Sequence, residues 1–114
     1  MNRQLSAILG PVIKKVIASQ RYLWGQLKWD IDSLGPWSGE VHELKAVEYF
    51  HDICEREITR LDNEAFNKLV IYYQRFGMDE SGSSPTVVRH FFTMTCVEEI
   101  LRRARIAASR TDRW

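Results

Sequence analysis

The sequence predicts an all-α protein, a single-domain bundle of about four helices. Apolar residues recur every three or four positions over most of the chain, which is the spacing of one helix face. Loop-forming Gly, Pro and Ser clusters interrupt this spacing, and the alternation typical of strands is not sustained. A length of 114 residues suits one domain with one core. The helices are expected at about 12–31, 40–61, 63–76 and 85–109.

The first helix is predicted to follow Pro11, with a short, separate helical turn before it. Proline suits the first position of a helix because its missing N–H would have no partner there. Apolar residues then continue at helical spacing from Val12 to Ile31. Gly25 weakens the interior only modestly. One uninterrupted helix is therefore expected over 12–31.

The other helix ends are predicted from local turn and cap residues. Residues 33–39 contain Gly-Pro and Ser-Gly pairs that end helices, and Ser38 is expected to cap the second helix. Asp62 is the expected cap of the third helix, and Gly77 its C-terminal residue. The Ser-Pro pair at 84–85 is expected to open the fourth.

Charge is distributed unevenly along a chain whose net charge is only +1. Residues 1–28 hold five bases and no acids, and residues 29–64 hold ten acids against three bases. Residues 65–101 are nearly balanced, and residues 102–114 hold five arginines and one acid. The small net charge excludes both a strongly basic nucleic-acid binder and an acidic mimic of DNA. Both ends are basic and the middle is acidic.

Cysteine usage and hydropathy indicate a cytoplasmic protein. Cys54 and Cys96, the two cysteines, lie in apolar helical patterns, so core filling in a reduced compartment is expected rather than a disulfide framework. Pro11 and two lysines after it cut short any apolar run near the N-terminus, which predicts neither a signal peptide nor a membrane span. No contact with a membrane is expected.

Candidate metal and catalytic residues do not complete a known arrangement. His51, Cys54, His90 and Cys96 are the ligand types that zinc prefers. However, the step of six residues from His90 to Cys96 turns a helix by about 600°, which leaves these two side chains about 120° apart. Glu48 and His51 match one Glu-x-x-His pair of di-iron bundles without the second pair that such a site needs. With no nucleophile turn or phosphate-binding loop either, we expect no metal, no cofactor and no enzymatic activity.

Five arginines lie at the end of the last predicted helix: Arg102, Arg103, Arg105, Arg110 and Arg113. Basic side chains complement the C-terminal end of a helix dipole, so such a cluster also occurs without any function. Arginine forms forked contacts with carboxylates and phosphates, which suits a protein or a nucleic-acid partner. A DNA-reading helix-turn-helix requires a turn near 93–95, but apolar residues continue at helical spacing through these positions. A single helix is therefore favoured.

Three tryptophans, Trp24, Trp29 and Trp37, lie within fourteen residues. They suit either a cluster in the core or a partner-binding surface, because Trp and Arg are enriched at interface hot spots. Tyr22 and Trp29 fall off the apolar face of the first helix and are expected to be exposed.

The expected function is that of a non-enzymatic protein–protein interaction module. Such a module would be a small cytosolic regulator, inhibitor or adaptor that docks on a larger protein or complex, of the kind that phages and bacteria encode. The alternative is a helix-turn-helix-like, nucleic-acid-binding regulator that uses the C-terminal arginines. A homodimer fits either hypothesis, since acidic and basic segments attract one another between copies. The residues expected to contact the partner are Trp29, Trp37, Arg102, Arg103, Arg105, Arg110 and Arg113.

Overall fold

The computed structural model describes residues 3–34, 39–76 and 84–111, and these form five α-helices without a strand. The helices are α1 (Arg3–Ser19), α2 (Arg21–Leu34), α3 (Gly39–Thr59), α4 (Asn63–Phe76) and α5 (Pro85–Thr111). The predicted all-α class is confirmed. Ser38 and Gly77, which were expected at helix ends, lie outside the described residues. Within the described ranges, no helix combines the length and the apolar character that crossing a membrane requires.

The N-terminal helices differ from the prediction in two ways. α1 begins at Arg3 and contains Pro11 in its interior, so there is no separate turn before the proline. The helix expected over 12–31 is also divided, at Gln20, between α1 and α2. Pro11 is tolerated because it and Ala7 are both exposed, so water can satisfy the Ala7 carbonyl that lacks a helical partner.

Backbone hydrogen bonds of the helical i→i−4 type continue on both sides of the division at Gln20. The Gln20 N–H donates to the Val16 carbonyl at 3.0 Å, and the Gln20 carbonyl accepts from the Trp24 N–H at 2.8 Å. The Ser19 hydroxyl also donates to the Val16 carbonyl at 3.0 Å, a bond of the kind that bends helices. α1 therefore ends within a single residue of the start of α2, although neither Gly nor Pro marks the position.

The caps of α4 and α5 are those predicted. Asp62 Oδ1 accepts a hydrogen bond of 2.7 Å from the Ala65 N–H in the first turn of α4. Ser84 Oγ accepts one of 3.3 Å from the Val87 N–H in the first turn of α5. Each cap satisfies a backbone donor that has no carbonyl partner within its helix.

α5 is the central helix of the bundle, because it contacts each of the other four helices. One face of α5 is fully buried along its length, at Val88, Phe92, Cys96, Ile100 and Ala104. This is the apolar face expected from the sequence, and it runs through positions 93–95 without a turn. α3 makes the most extensive contact with α5, and α2 the next.

The two cysteines fill the core, as expected. Cys54 on α3 and Cys96 on α5 are both free thiols with no exposed surface. Burial raises the pKa of the Cys54 thiol to about 12 and raises that of Cys96 as well. Both side chains therefore remain protonated and act as small apolar residues near neutral pH.

α1 and α3 are also joined by an ion pair. Lys15 Nζ lies 3.0 Å from a carboxylate oxygen of Glu57, and Arg60 lies 3.1 Å from the other oxygen. The hydrogen bond from Lys15 lowers the pKa of Glu57 more than any other interaction does. Glu57 therefore stays ionised and links the two helices at neutral pH.

The adjacent phenylalanines of α5 allow a matched test of this core. Phe92 is fully buried and Phe91 is 43% exposed. We expect Phe92→Ala to lower the free energy of unfolding by about 3–5 kcal/mol, because it leaves a cavity on the central helix. Phe91→Ala should cost about 1 kcal/mol, since mainly its edge contacts with Tyr73 and Phe92 are lost. Urea unfolding followed by circular dichroism measures both, and equal losses would contradict the burial of this face.

Candidate partner-binding surfaces

The arginine-rich end of α5 is organised around one carboxylate, that of Glu99. Arg102 binds it in a forked arrangement, with Nε 2.9 Å from Oε2 and Nη2 2.6 Å from Oε1. Arg103 Nε donates to Oε1 at 3.2 Å. These hydrogen bonds, above all those from Arg102, lower the pKa of Glu99 although the residue is only 7% exposed. Glu99 is therefore an ionised carboxylate held by two arginines of its own helix.

The predicted arginine contacts are thus not equivalent. Arg102 and Arg103 share an intramolecular partner, so one of their two positive charges is already neutralised. Arg105, on the same helix, is exposed. Arg110 belongs to α5 but its side chain is not among those described, and Arg113 lies outside the described residues.

The aromatic residues of α2 divide between the core and the surface. Trp24 packs partly against the core cluster. Trp29 is 64% exposed and Tyr22 is 81% exposed, which confirms that both lie off the apolar face. They are seven residues apart and so project from the same side of α2. Trp37 lies outside the described residues.

A third surface is an open groove between the first turns of α1 and the last turns of α4. Its volume is about 410 Å³, and its lining residues are Gln4, Leu5, Ala7, Ile8, Lys68, Leu69, Ile71, Tyr72, Arg75 and Phe76. Leu5 and Leu69 are buried, and Ile8 and Tyr72 are half-buried, so the floor is apolar. Ile71 and Phe76, on the rim, are 56% and 61% exposed.

The charged side chains of this groove are basic. Lys68 and Arg75 line its α4 side, and α1 contributes no acidic residue. Lys68 lies 3.6 Å from Glu64, but both side chains are largely exposed, so this pair is weak. The groove therefore combines an apolar floor with a positively charged edge.

Sequence reasoning did not identify this groove. Phe76 continues the helical spacing of Leu69 and Tyr73, which predicts a buried position. The structure corrects this by placing Phe76 at the surface, with its ring centroid 4.9 Å from that of Tyr72. The residue that could have indicated this surface from the sequence is Ile71. It is a large apolar residue that lies outside the buried face of α4, which is the face formed by Leu69 and Tyr73. That signal indicates an exposed patch but not the helix that faces it.

Comparison of the chain with protein-family models, with curated proteins and with solved structures finds no match. The evidence for function is therefore the geometry and charge of the chain's own surfaces.

The pairing of Glu99 predicts a pH-dependent contribution to stability. A lowered pKa in the folded state means that the contribution is present above the ordinary carboxylate pKa of about 4.3 and is lost as the pH falls through the folded-state value. We expect Glu99→Gln to lower the free energy of unfolding by about 1 kcal/mol at pH 7, and the difference from the wild type to vanish at lower pH.

The neighbouring Glu98 supplies the control for this measurement, because it is exposed. Glu98→Gln should change the free energy of unfolding by less than about 0.5 kcal/mol. Urea unfolding at pH 7, 5 and 3 compares the three proteins. A Glu99→Gln deficit that is the same at all three pH values would show that the ion pairs are not its cause.

Proposed function

We propose that this protein is a non-enzymatic protein–protein interaction module, a small regulator, inhibitor or adaptor, which binds an amphipathic helix of its partner in the groove between α1 and α4. The apolar, open and positively edged groove is the observation that carries this proposal. The ligand expected there is a helix with an apolar face flanked by Asp or Glu.

The dimensions of the groove suit a short helical segment. The stretch of α4 from Lys68 to Phe76 rises about 12 Å along its axis, which is a little over two helical turns. A helix bound alongside would present apolar side chains at i, i+3 or i+4, and i+7, the usual anchors of helix-in-groove recognition.

Exposed apolar side chains at the groove make binding there energetically favourable. Ile71 and Phe76 expose more than half of their surface beside the buried Leu5 and Leu69. Covering these side chains would remove apolar surface from water at about 25 cal/mol per Å². The rim residues therefore contribute affinity, and the floor residues fix the shape.

Charge determines which helix is accepted. Lys68 and Arg75 are two turns apart on α4, and the facing helix α1 contains bases but no acids. Acidic residues beside the apolar face of a partner helix would pair with this edge, whereas basic residues would be repelled. Association is therefore expected to be faster at low salt.

Nucleic-acid binding is the less supported alternative. α5 is one helix from Pro85 to Thr111, which leaves no turn within it for a helix-turn-helix. Two of its arginines are held by Glu99. The exposed Arg105 and Trp29 would then contact parts of the partner other than the helix bound in the groove.

A fluorescein-labelled amphipathic peptide tests the proposal, with leucines at i, i+3 and i+7 flanked by glutamates. We expect Ile71→Asp and Arg75→Glu each to weaken its binding to the full-length protein at least tenfold, or about 1.4 kcal/mol. The matched controls Ile106→Asp and Arg105→Glu alter exposed residues of the same types on α5 and should leave the Kd unchanged. Fluorescence anisotropy gives the Kd, and circular dichroism confirms folding.

Other occupants of the groove give other results. Dimerisation of the purified protein that is abolished by Ile71→Asp, without binding of the peptide, would assign the groove to a second copy. Weaker peptide binding in the α5 variants instead of the α4 variants would place docking at the arginine-rich end. Equal binding of a peptide with lysines in place of the glutamates would contradict the charge argument.

A further inference from the structure

A second, smaller cavity lies between α3 and α5, away from the groove. Its volume is about 150 Å³, and the side chains that line it are His51, Glu55, Thr86, Arg89, His90 and Thr93. Two of the three histidines of the chain therefore meet in one cavity, from two different helices. Their ring centroids are 6.3 Å apart.

Two carboxylates lie beside His51 of α3. His51 Nδ1 lies 3.4 Å from Asp52 Oδ1 and 3.8 Å from Glu55 Oε2. One ligand atom from each of these three residues lies within 4.8 Å of the others. Two ligand atoms bound to one tetrahedral zinc ion are about 3.4 Å apart, so the separation of His51 from the carboxylates already approaches that of a metal site.

A buried polar group in the same cavity lacks a partner. Thr93 Oγ1 is fully buried and has no hydrogen bond within the described part of the chain. Threonines in helices commonly donate to the carbonyl four residues earlier, as Thr95 does to Phe91 at 2.9 Å. Thr93 forms no such bond although it lies on the same helix. A buried hydroxyl without a partner is costly unless something else in the cavity binds it.

We propose that His51, Glu55 and His90 bind a first-row divalent cation, zinc foremost, with a water completing the coordination. Two imidazoles and one carboxylate form the donor set of open, three-residue zinc sites. His90 does not belong to the group of ligand atoms within 4.8 Å of one another. Two imidazoles on one tetrahedral ion place their ring centroids about 5 Å apart, so the exposed His90 ring has to approach His51 by at least about 1 Å and turn a nitrogen towards the ion.

The carboxylates beside His51 favour a cation at this imidazole. Glu55 lines the cavity, whereas Asp52 is exposed and lies outside the lining. Arg89 is the one basic residue among the lining side chains other than the histidines, and its guanidinium lies over the Phe66 ring of α4 at 5.5 Å.

The cysteines have no part in this site. Cys54 and Cys96 are fully buried in the core, whereas His90 is exposed on another side of α5. The four-residue set of His51, Cys54, His90 and Cys96 considered from the sequence is thus replaced by two histidines and a carboxylate. The site joins α3 to α5 and is independent of the groove between α1 and α4.

Titration of the metal-free, full-length protein with Zn²⁺ in a calorimeter, and with Co²⁺ by visible absorption, tests this proposal. We expect saturable binding of one ion per chain, weakened at least tenfold by His51→Gln, by Glu55→Gln and by His90→Gln. His42→Gln, at the remaining histidine, is the matched control and should bind like the wild type. Circular dichroism confirms folding of each variant, and the side chains of His51, Glu55 and His90 are half-buried or exposed.

Several results would overturn the proposal. Absence of saturable binding would do so, and so would binding that His90→Gln leaves unchanged, because the ion would then be held by the surface of α3 alone. A thiolate-to-cobalt charge-transfer band would place the ion on cysteine. Binding of inorganic phosphate without metal, lost in Arg89→Gln, would make the cavity an anion site.

Discussion

The fold depends on burying one continuous face of α5. This helix has 27 residues and is therefore about 40 Å long, against 46 Å for the longest dimension of the molecule. The other four helices all pack against it, so its apolar residues provide the common core. Two polar residues lie on its buried surface. Glu99 is compensated by Arg102 and Arg103, whereas the buried hydroxyl of Thr93 has no hydrogen-bond partner in the described chain.

The attachment of α4 explains why a groove exists. α4 packs against α5 through aromatic contacts. The ring centroids of Tyr72 and Phe92 are 6.2 Å apart, and those of Tyr73 and Phe91 are 5.2 Å apart. These contacts use only part of its apolar surface, and the remainder faces α1 across the groove. Tyr72, one of the residues that hold α4 in the bundle, therefore also borders a surface that the described helices leave uncovered. This is the physical basis for proposing partner binding at α4 rather than at the arginines alone.

Local chemistry predicted much of the fold, and long-range packing determined the rest. The caps Asp62 and Ser84 were predictable because each acts within a few residues of its own helix. The division at Gln20 was not, since apolar spacing continues across it and no Gly or Pro marks it. The groove joins residues 4–8 to residues 68–76, which only tertiary packing relates. Helical periodicity likewise predicted that His90 and Cys96 lie on different sides of one helix. It could not show that the ring of His90 lies near that of His51 on another helix.

The central role of α5 is tested most directly by hydrogen exchange of the full-length protein, followed by mass spectrometry. If α5 organises the bundle, amides from Val88 to Ala104 should exchange only by global unfolding, and amides of α4 from Phe66 to Tyr73 should exchange faster through local opening. The free energy of opening obtained from amide exchange in α5 should then equal the free energy of unfolding measured with urea. Exchange in α5 as fast as in α4 would contradict the account, because α5 could not then be the helix on which the others depend.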